Sequence, residues 1–182
     1  QVPTLICHSM GGLVAATFVQ RGMGRVDGLV LSSPAFDAGI GWLQRQFIRL
    51  LYRHAPDFAL SNGLDANKIS HNTATVQAYK SDPLVHDRIT ARLANFIDVN
   101  GPRVVADAPR WTLPTLLMFA GDDRLVRPAG SRAFAAAAPP ATVQTQAFDG
   151  LYHEIFNEAD PSAVFGTLKA WLDVQAPKPL AA

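Results

Sequence analysis

Strand-length runs rich in β-formers recur along the chain at Pro3 to Cys7, Val26 to Leu31, Thr115 to Phe119 and Thr142 to Phe148. Helix-forming stretches follow three of them: Leu13 to Gln20, Ala129 to Ala138 and Pro161 to Val174, the first closed by Gly22 and Gly24. This alternation predicts an α/β fold in which parallel, buried strands are flanked by helices. Between the second and third strands the pattern changes. Residues 34–112 hold no strand-like run and carry helical periodicity around Trp42 to Arg53, Thr73 to Lys80 and Pro83 to Asp98. The expected organisation is a core part at 1–33, a helical cap insertion at 34–112, a second core part at 113–175 and a loose tail, "APKPLAA", at 176–182.

Composition narrows the classes of function. Of 182 residues, 48% are hydrophobic and 17% charged, the balance of a folded domain with a sizeable core. Sixteen basic against fifteen acidic residues leave a net charge of +1, so no global field gathers nucleic acid, and no nucleic-acid partner is expected. The single cysteine, Cys7, cannot form an intrachain disulfide, which fits a reducing compartment and a cytoplasmic location. No apolar stretch approaches the ~20 residues of a membrane-spanning helix. His8, His54, His71 and His86 share no ligand-like spacing, so surface or cap packing is expected for each, with neither a metal nor a cofactor.

Candidate chemistry sits at three points. A serine hydroxyl needs a base to take its proton and a third group to hold that base. Ser9, in "ICHSMGG", stands between a strand and a helix, where a strained elbow lifts its hydroxyl above the sheet and aims the Met10 N–H at a developing oxyanion. Asp123 lies just past a strand in "GDDRLVRP", beside its rival Asp122. His153, in "LYHEIFNE", follows the last strand. Nucleophile, acid and histidine therefore come in the order used by α/β-hydrolases. Ser32 and Ser33, which close a strand, are expected to serve the turn.

"HSMGG", "DRLV" and "YHEIFNE" together resemble the monoacylglycerol lipase and lysophospholipase branch of the α/β-hydrolases, of the serine aminopeptidase S33 type, and "LSSPAF", "DPLVHDRIT" and "PTLLMFAGDDRLV" extend the likeness over nearly the whole chain. The resemblance implies Ser9 as nucleophile, His153 as base, Met10 as donor of one oxyanion N–H, and Asp123 as acid. Arg124, Leu125 and Val126 match the Arg-apolar-apolar continuation that follows the family's acid, which favours Asp123 over Asp122. It also implies a monoacyl lipid or small acyl ester as substrate, cleaved through an acyl-enzyme.

Two departures from the family pattern stand out. Cys7 occupies the place where the elbow ordinarily has its first glycine, adding a sulfur to a crowded turn. As a buried strand-end cysteine it is expected to be an inert small hydrophobe. The family also has strands before the nucleophile strand, one followed by a loop that donates the second oxyanion N–H. That loop has no counterpart here, and losing one such donor costs roughly 10²–10³ in rate. The expectation is accordingly a C-terminal portion of an α/β-hydrolase, either a fragment whose remainder is lost or not shown or one completed by another N-terminal polypeptide; the alternative function is a catalytically incomplete chain that serves only for association, including self-association at an open sheet edge.

A wheel drawn from Trp42 sets Leu43, Phe47, Leu50 and Leu51 on one arc and Arg45, Arg49 and Arg53 on the opposite one. Two placements follow from such a stripe. Either the cap meets a lipid surface and guides an acyl chain, or it packs its apolar face on the core and leaves the arginines in water.

Overall fold

The computed structural model describes residues 2–175, and the expected tail at 176–182 lies outside them. Four parallel strands form the main sheet in the order β1-β2-β5-β6: β1 (Thr4–His8), β2 (Gly28–Ser32), β5 (Thr115–Ala120) and β6 (Val143–Phe148). Between them come α1 (Ser9–Gln20), α2 (Trp42–His54), β3 (Ala59–Ser61), α3 (Thr73–Ser81), β4 (Arg88–Thr90), α4 (Ala91–Asp107) and α5 (Pro128–Ala137), and α6 (Ser162–Gln175) closes the described chain.

The two central strands show why the sheet reads as unbroken apolar runs. Every residue of β2 and of β5 is buried, because helices cover both faces. Side chains alternate across the pleat. Leu29, Leu31, Leu117 and Phe119 face a core completed by Leu13 of α1, Val104 of α4 and Phe134 of α5. Val30, Leu116, Met118 and Ala120 face the opposite core, closed by Ile155 and by Val164 and Trp171 of α6.

The segment between β2 and β5 departs from the helix-only pattern expected of it. β3 and β4 pair antiparallel, with Leu60 opposite Ile89. The helical periodicity from Pro83 is interrupted because Thr90 caps a later start, its Oγ1 accepting the Leu93 N–H at 3.2 Å. From there α4 runs on beyond Asp98 and through Pro102 to Asp107. A proline in a helix interior removes one backbone bond and is ordinarily a breaker. Packing overrides that cost: α4 lies against α1, α2 and α5, and Gly101 comes so close that a Cβ there would collide with the Phe36 carbonyl. The second half of α4 thereby belongs to the layer that buries one face of the sheet.

α2 also differs from a simple amphipathic cap helix. It has no fully buried residue, and Leu43, Phe47 and Leu50 are exposed. Its inward side carries Arg45, Ile48 and Leu51. The reason is a carboxylate: Asp98 of α4 has a side chain only 2% exposed, and Arg45 Nε donates to its Oδ1 at 2.6 Å. A buried charge without a partner is costly, so the arginine is drawn inward against the apolar pattern.

Candidate active site

Ser9, Asp123 and His153 follow β1, β5 and β6, at the carboxyl ends of parallel strands where loops can converge. Ser9 lies at the first position of α1 with φ of 53°, in the left-handed region that non-glycine residues rarely occupy. The surroundings over-determine that strained turn. The Ala35 N–H, in the loop after β2, donates to the Ser9 carbonyl at 3.0 Å. Gly12 allows α1 to approach the same loop, since a Cβ there would stand 3.0 Å from Pro34 Cβ. Cys7 sits in ordinary register opposite Leu31 of β2, half-buried against the core. Burial pushes its thiol above the ordinary range, which favours the protonated form.

The three side chains meet in a line. His153 Nδ1 stands 2.6 Å from Asp123 Oδ2, and its Nε2 stands 2.8 Å from Ser9 Oγ. An ionised carboxylate only accepts hydrogen bonds, so Nδ1 carries the proton and Nε2 is left to accept from the serine hydroxyl. Asp123 is itself fixed: its Oδ1 accepts from the N–H groups of Leu125 and Val126 at 2.8 and 2.9 Å. Its side chain is 3% exposed and that of His153 is 6% exposed, so water screens the pair little. Asp122 is exposed, with its N–H on the Leu151 carbonyl. Met10 follows Ser9 in the first turn of α1, where backbone N–H groups have no intrahelical acceptor and are free to meet negative charge.

Several supporting residues carried no functional signal in the sequence. Ser33, with φ of 41°, is buried and donates from Oγ to the His153 carbonyl at 3.0 Å. Glu158 is buried, and its carboxylate accepts from the N–H of Tyr152, the hydroxyl of Ser70, and both the N–H and ring of His71. Burial weakens its acidity, but those four donors outweigh burial and hold the group below the ordinary carboxylate range. The result is a staple from α3's leading loop to the loop bearing His153, reinforced by the Glu154 N–H on the Ile69 carbonyl at 2.8 Å and by stacking of His71 on Tyr152. Local signals for these roles are weak, because each depends on a partner 80 or more residues away in sequence for Ser33, Ser70 and His71.

Ser9 and Met10 open on a cavity of about 560 Å³. Its walls include Phe47 and Ile48 of α2, Leu60 of β3, Ile89 of β4 and Ile97 of α4, with Asp65, Arg124 and Asn62 among the polar groups. Such a chamber suits an apolar chain that ends at a polar reacting group. Among the described residues, no group of three or more His, Cys, Asp or Glu side chains converges as a metal site, and no helix is long and apolar enough to cross a membrane.

Comparison with known proteins agrees with the fold. Residues 2–160 match the profile of the family described as serine aminopeptidase, S33. The chain is 33% identical over 168 residues to a monoacylglycerol lipase of Mycolicibacterium smegmatis, an alignment covering 91% of this chain and 60% of that protein. It is 29% identical over 175 residues to phospholipase YtpA of Bacillus subtilis, covering 93% and 67%. The crystal structure of a monoacylglycerol lipase from Paleococcus ferrophilus superposes with a TM-score of 0.91 at 31% identity, over 97% of this chain and 70% of that one. The chain thus spans about 60% of the length of the mycobacterial relative. A family match over most of its length, on a parallel sheet with helices on both faces, means that the chain belongs to the serine aminopeptidase S33 family of α/β-hydrolases, in its monoacylglycerol lipase-like branch.

Proposed function

We propose that the protein hydrolyses esters of monoacyl lipids, monoacylglycerols or lysophospholipids, through Ser9, His153 and Asp123. The observation that carries this reading is the unbroken relay from Ser9 Oγ through His153 to the buried Asp123 carboxylate, opening on an apolar chamber. His153 Nε2 takes the hydroxyl proton as Ser9 Oγ attacks the acyl carbonyl. The Met10 N–H meets the oxyanion, Asp123 steadies the imidazolium, and the departing alcohol leaves with the proton from Nε2. Water, deprotonated by the same nitrogen, then releases the fatty acid from Ser9 and restores the hydroxyl.

Substrate class follows from the chamber. One acyl chain can lie along Ile48, Leu60, Ile89 and Ile97, with the polar alcohol portion toward the Arg124 side. The relatives named monoacylglycerol lipase and phospholipase support a lipid ester over a peptide. Exposed Leu43, Phe47 and Leu50 on α2, with Arg49 and Arg53 nearby, support contact of this helix with a lipid surface from which substrate is drawn.

A fluorophosphonate probe tests the reading. Labelling of the full chain that disappears in Ser9→Ala and falls sharply in His153→Ala, together with release of fatty acid from a monoacylglycerol emulsion, is the expected result. Absence of labelling in the unaltered protein overturns it.

A further inference from the structure

Three separate backbone segments carry Ser9, Asp123 and His153, and one short loop that carries none of them bonds to all three. That loop, Ser33 to Ala35, follows the end of β2. The Ser33 N–H donates at 2.8 Å to the carbonyl of Met118 in β5, the strand that leads to Asp123, and the Ala35 N–H donates to the Ser9 carbonyl at 3.0 Å. The Ser33 hydroxyl makes the third link. Its Oγ donates to the His153 carbonyl at 3.0 Å and accepts from the N–H of Ala120, the last residue of β5, at 3.4 Å.

We infer that Ser33 is a positioning residue for the relay, its hydroxyl fixing the backbone of His153 against the end of β5 and so setting the place of the imidazole relative to Asp123. This role rests on the reading of Ser9, His153 and Asp123 given above. It extends that reading to a side chain that touches none of the reacting atoms.

The identity of the residue carries the argument. Ser33 has φ of 41°, in the left-handed region where glycine avoids the strain that a β-carbon brings. A turn alone would be better served by glycine. The residue is 2% exposed and lines no part of the chamber, so neither solvent nor substrate accounts for the serine. What it adds over glycine is the hydroxyl, and both capacities of that hydroxyl are used on the segments bearing Asp123 and His153. Other bonds hold the histidine loop elsewhere: the Asp122 N–H meets Leu151, the Glu154 N–H meets Ile69, and the Tyr152 N–H meets Glu158. The Ile155 N–H shares the His153 carbonyl at 3.0 Å, but it belongs to the same loop. Among the described residues, Ser33 therefore supplies the tie from the sheet to the backbone of His153 itself.

The test compares Ser33→Ala, which keeps the strained β-carbon, with Ser33→Gly, which relieves it, both in the full chain. Each removes the hydroxyl. Each also leaves the Ala120 N–H without this acceptor and is expected to melt lower, with Ser33→Gly at least as stable as Ser33→Ala. Activity on a soluble monoacyl ester is therefore taken well below the melts and divided by the fraction of sites that a fluorophosphonate titrates. In both variants kcat per site is expected to fall about ten- to a hundredfold, the cost of a misplaced catalytic group, with KM within about twofold. The low-field NMR signal of the His153 Nδ1–H, bonded to Asp123, is expected to move upfield in both. Combining Ser33→Ala with Asp123→Asn should cost less than the product of the separate losses, because both act on the same imidazole. Unchanged kcat per site in the variants, or recovery of kcat in Ser33→Gly together with its stability, overturns the role. If the unaltered protein neither labels nor turns over ester, the proposed function falls, and the Nδ1–H signal then decides for Ser33: displacement in both variants supports the tie, and an unmoved signal overturns it.

Discussion

Replacing Arg45 by Met isolates the force that holds α2 over the chamber. Asp98 would remain with its side chain 2% exposed, one oxygen stripped of its 2.6 Å donor and the other already without a partner. Breaking a fully buried ion pair from one side costs about 3–5 kcal/mol. Arg45 is 37% exposed, so water enters part of the vacated space and the cost falls to about 2 kcal/mol. For a chain of this size that corresponds to a fall of about 4–8 °C in Tm. Thermal melts followed by circular dichroism measure it. Adding Asp98→Leu removes the stranded charge, and the double variant is expected to regain most of the loss, because the penalty belongs to the unpaired carboxylate and not to the missing bond. Phe47 and Ile48 belong to the same helix and wall the chamber, so Arg45→Met should also raise KM for long acyl esters more than for short ones. A double variant less stable than Arg45→Met would refute this reasoning.

Further outcomes follow from the site. Asp123→Asn is expected to lower kcat by about 10⁴, since an amide no longer enforces the Nδ1–H tautomer, whereas the exposed Asp122→Asn stays within about twofold; steady-state kinetics on one ester compare them. Glu158, whose carboxyl is held below its ordinary value of 4.5, contributes stability that is present above pH 4.5 and lost as pH falls through its own lower value. Melts between pH 3 and 7 should show a smaller acid loss in Glu158→Gln than in the unaltered protein, from a lower starting Tm. Gly101→Ala should destabilise by about 1–3 kcal/mol, because the Phe36 backbone carbonyl cannot move aside as a side chain could; urea unfolding reads the change. Leu60→Trp should narrow the chamber and turn preference toward short acyl esters, visible in a series of p-nitrophenyl esters.

The parallel sheet was legible in the chain because a strand buried on both faces must be apolar throughout, and that requirement is local: β2 and β5 announce themselves. The elbow was legible for a similar reason, since a strand, a small-residue turn and a helix follow one another within a dozen residues. The order of Ser9, Asp123 and His153 was equally open to reading, as each lies just past a strand end. Choosing Asp123 over Asp122 on residues alone was not possible; it took a family pattern, and in the fold the choice turns on which of two adjacent side chains points at His153 Nδ1.

What the tertiary structure alone decided lies where the partner is remote. The helical wheel set Arg45 on the arc opposite the apolar residues of α2, yet a buried carboxylate on α4, 53 residues later, turns it inward and leaves Leu43, Phe47 and Leu50 exposed. The helical pattern was read only over Pro83 to Asp98, but packing on α1, α5 and the Phe36 loop carries α4 through Pro102 to Asp107. His8 was expected to pack at the surface or in the cap, but the fold sets Glu154 beside it from the far end of the chain. Patterns of period two and 3.6 record which face of an element is apolar. They carry no information about a single charge waiting on a different element, and for this protein those distant charges settle how the cap is fastened and how the loop bearing His153 is held.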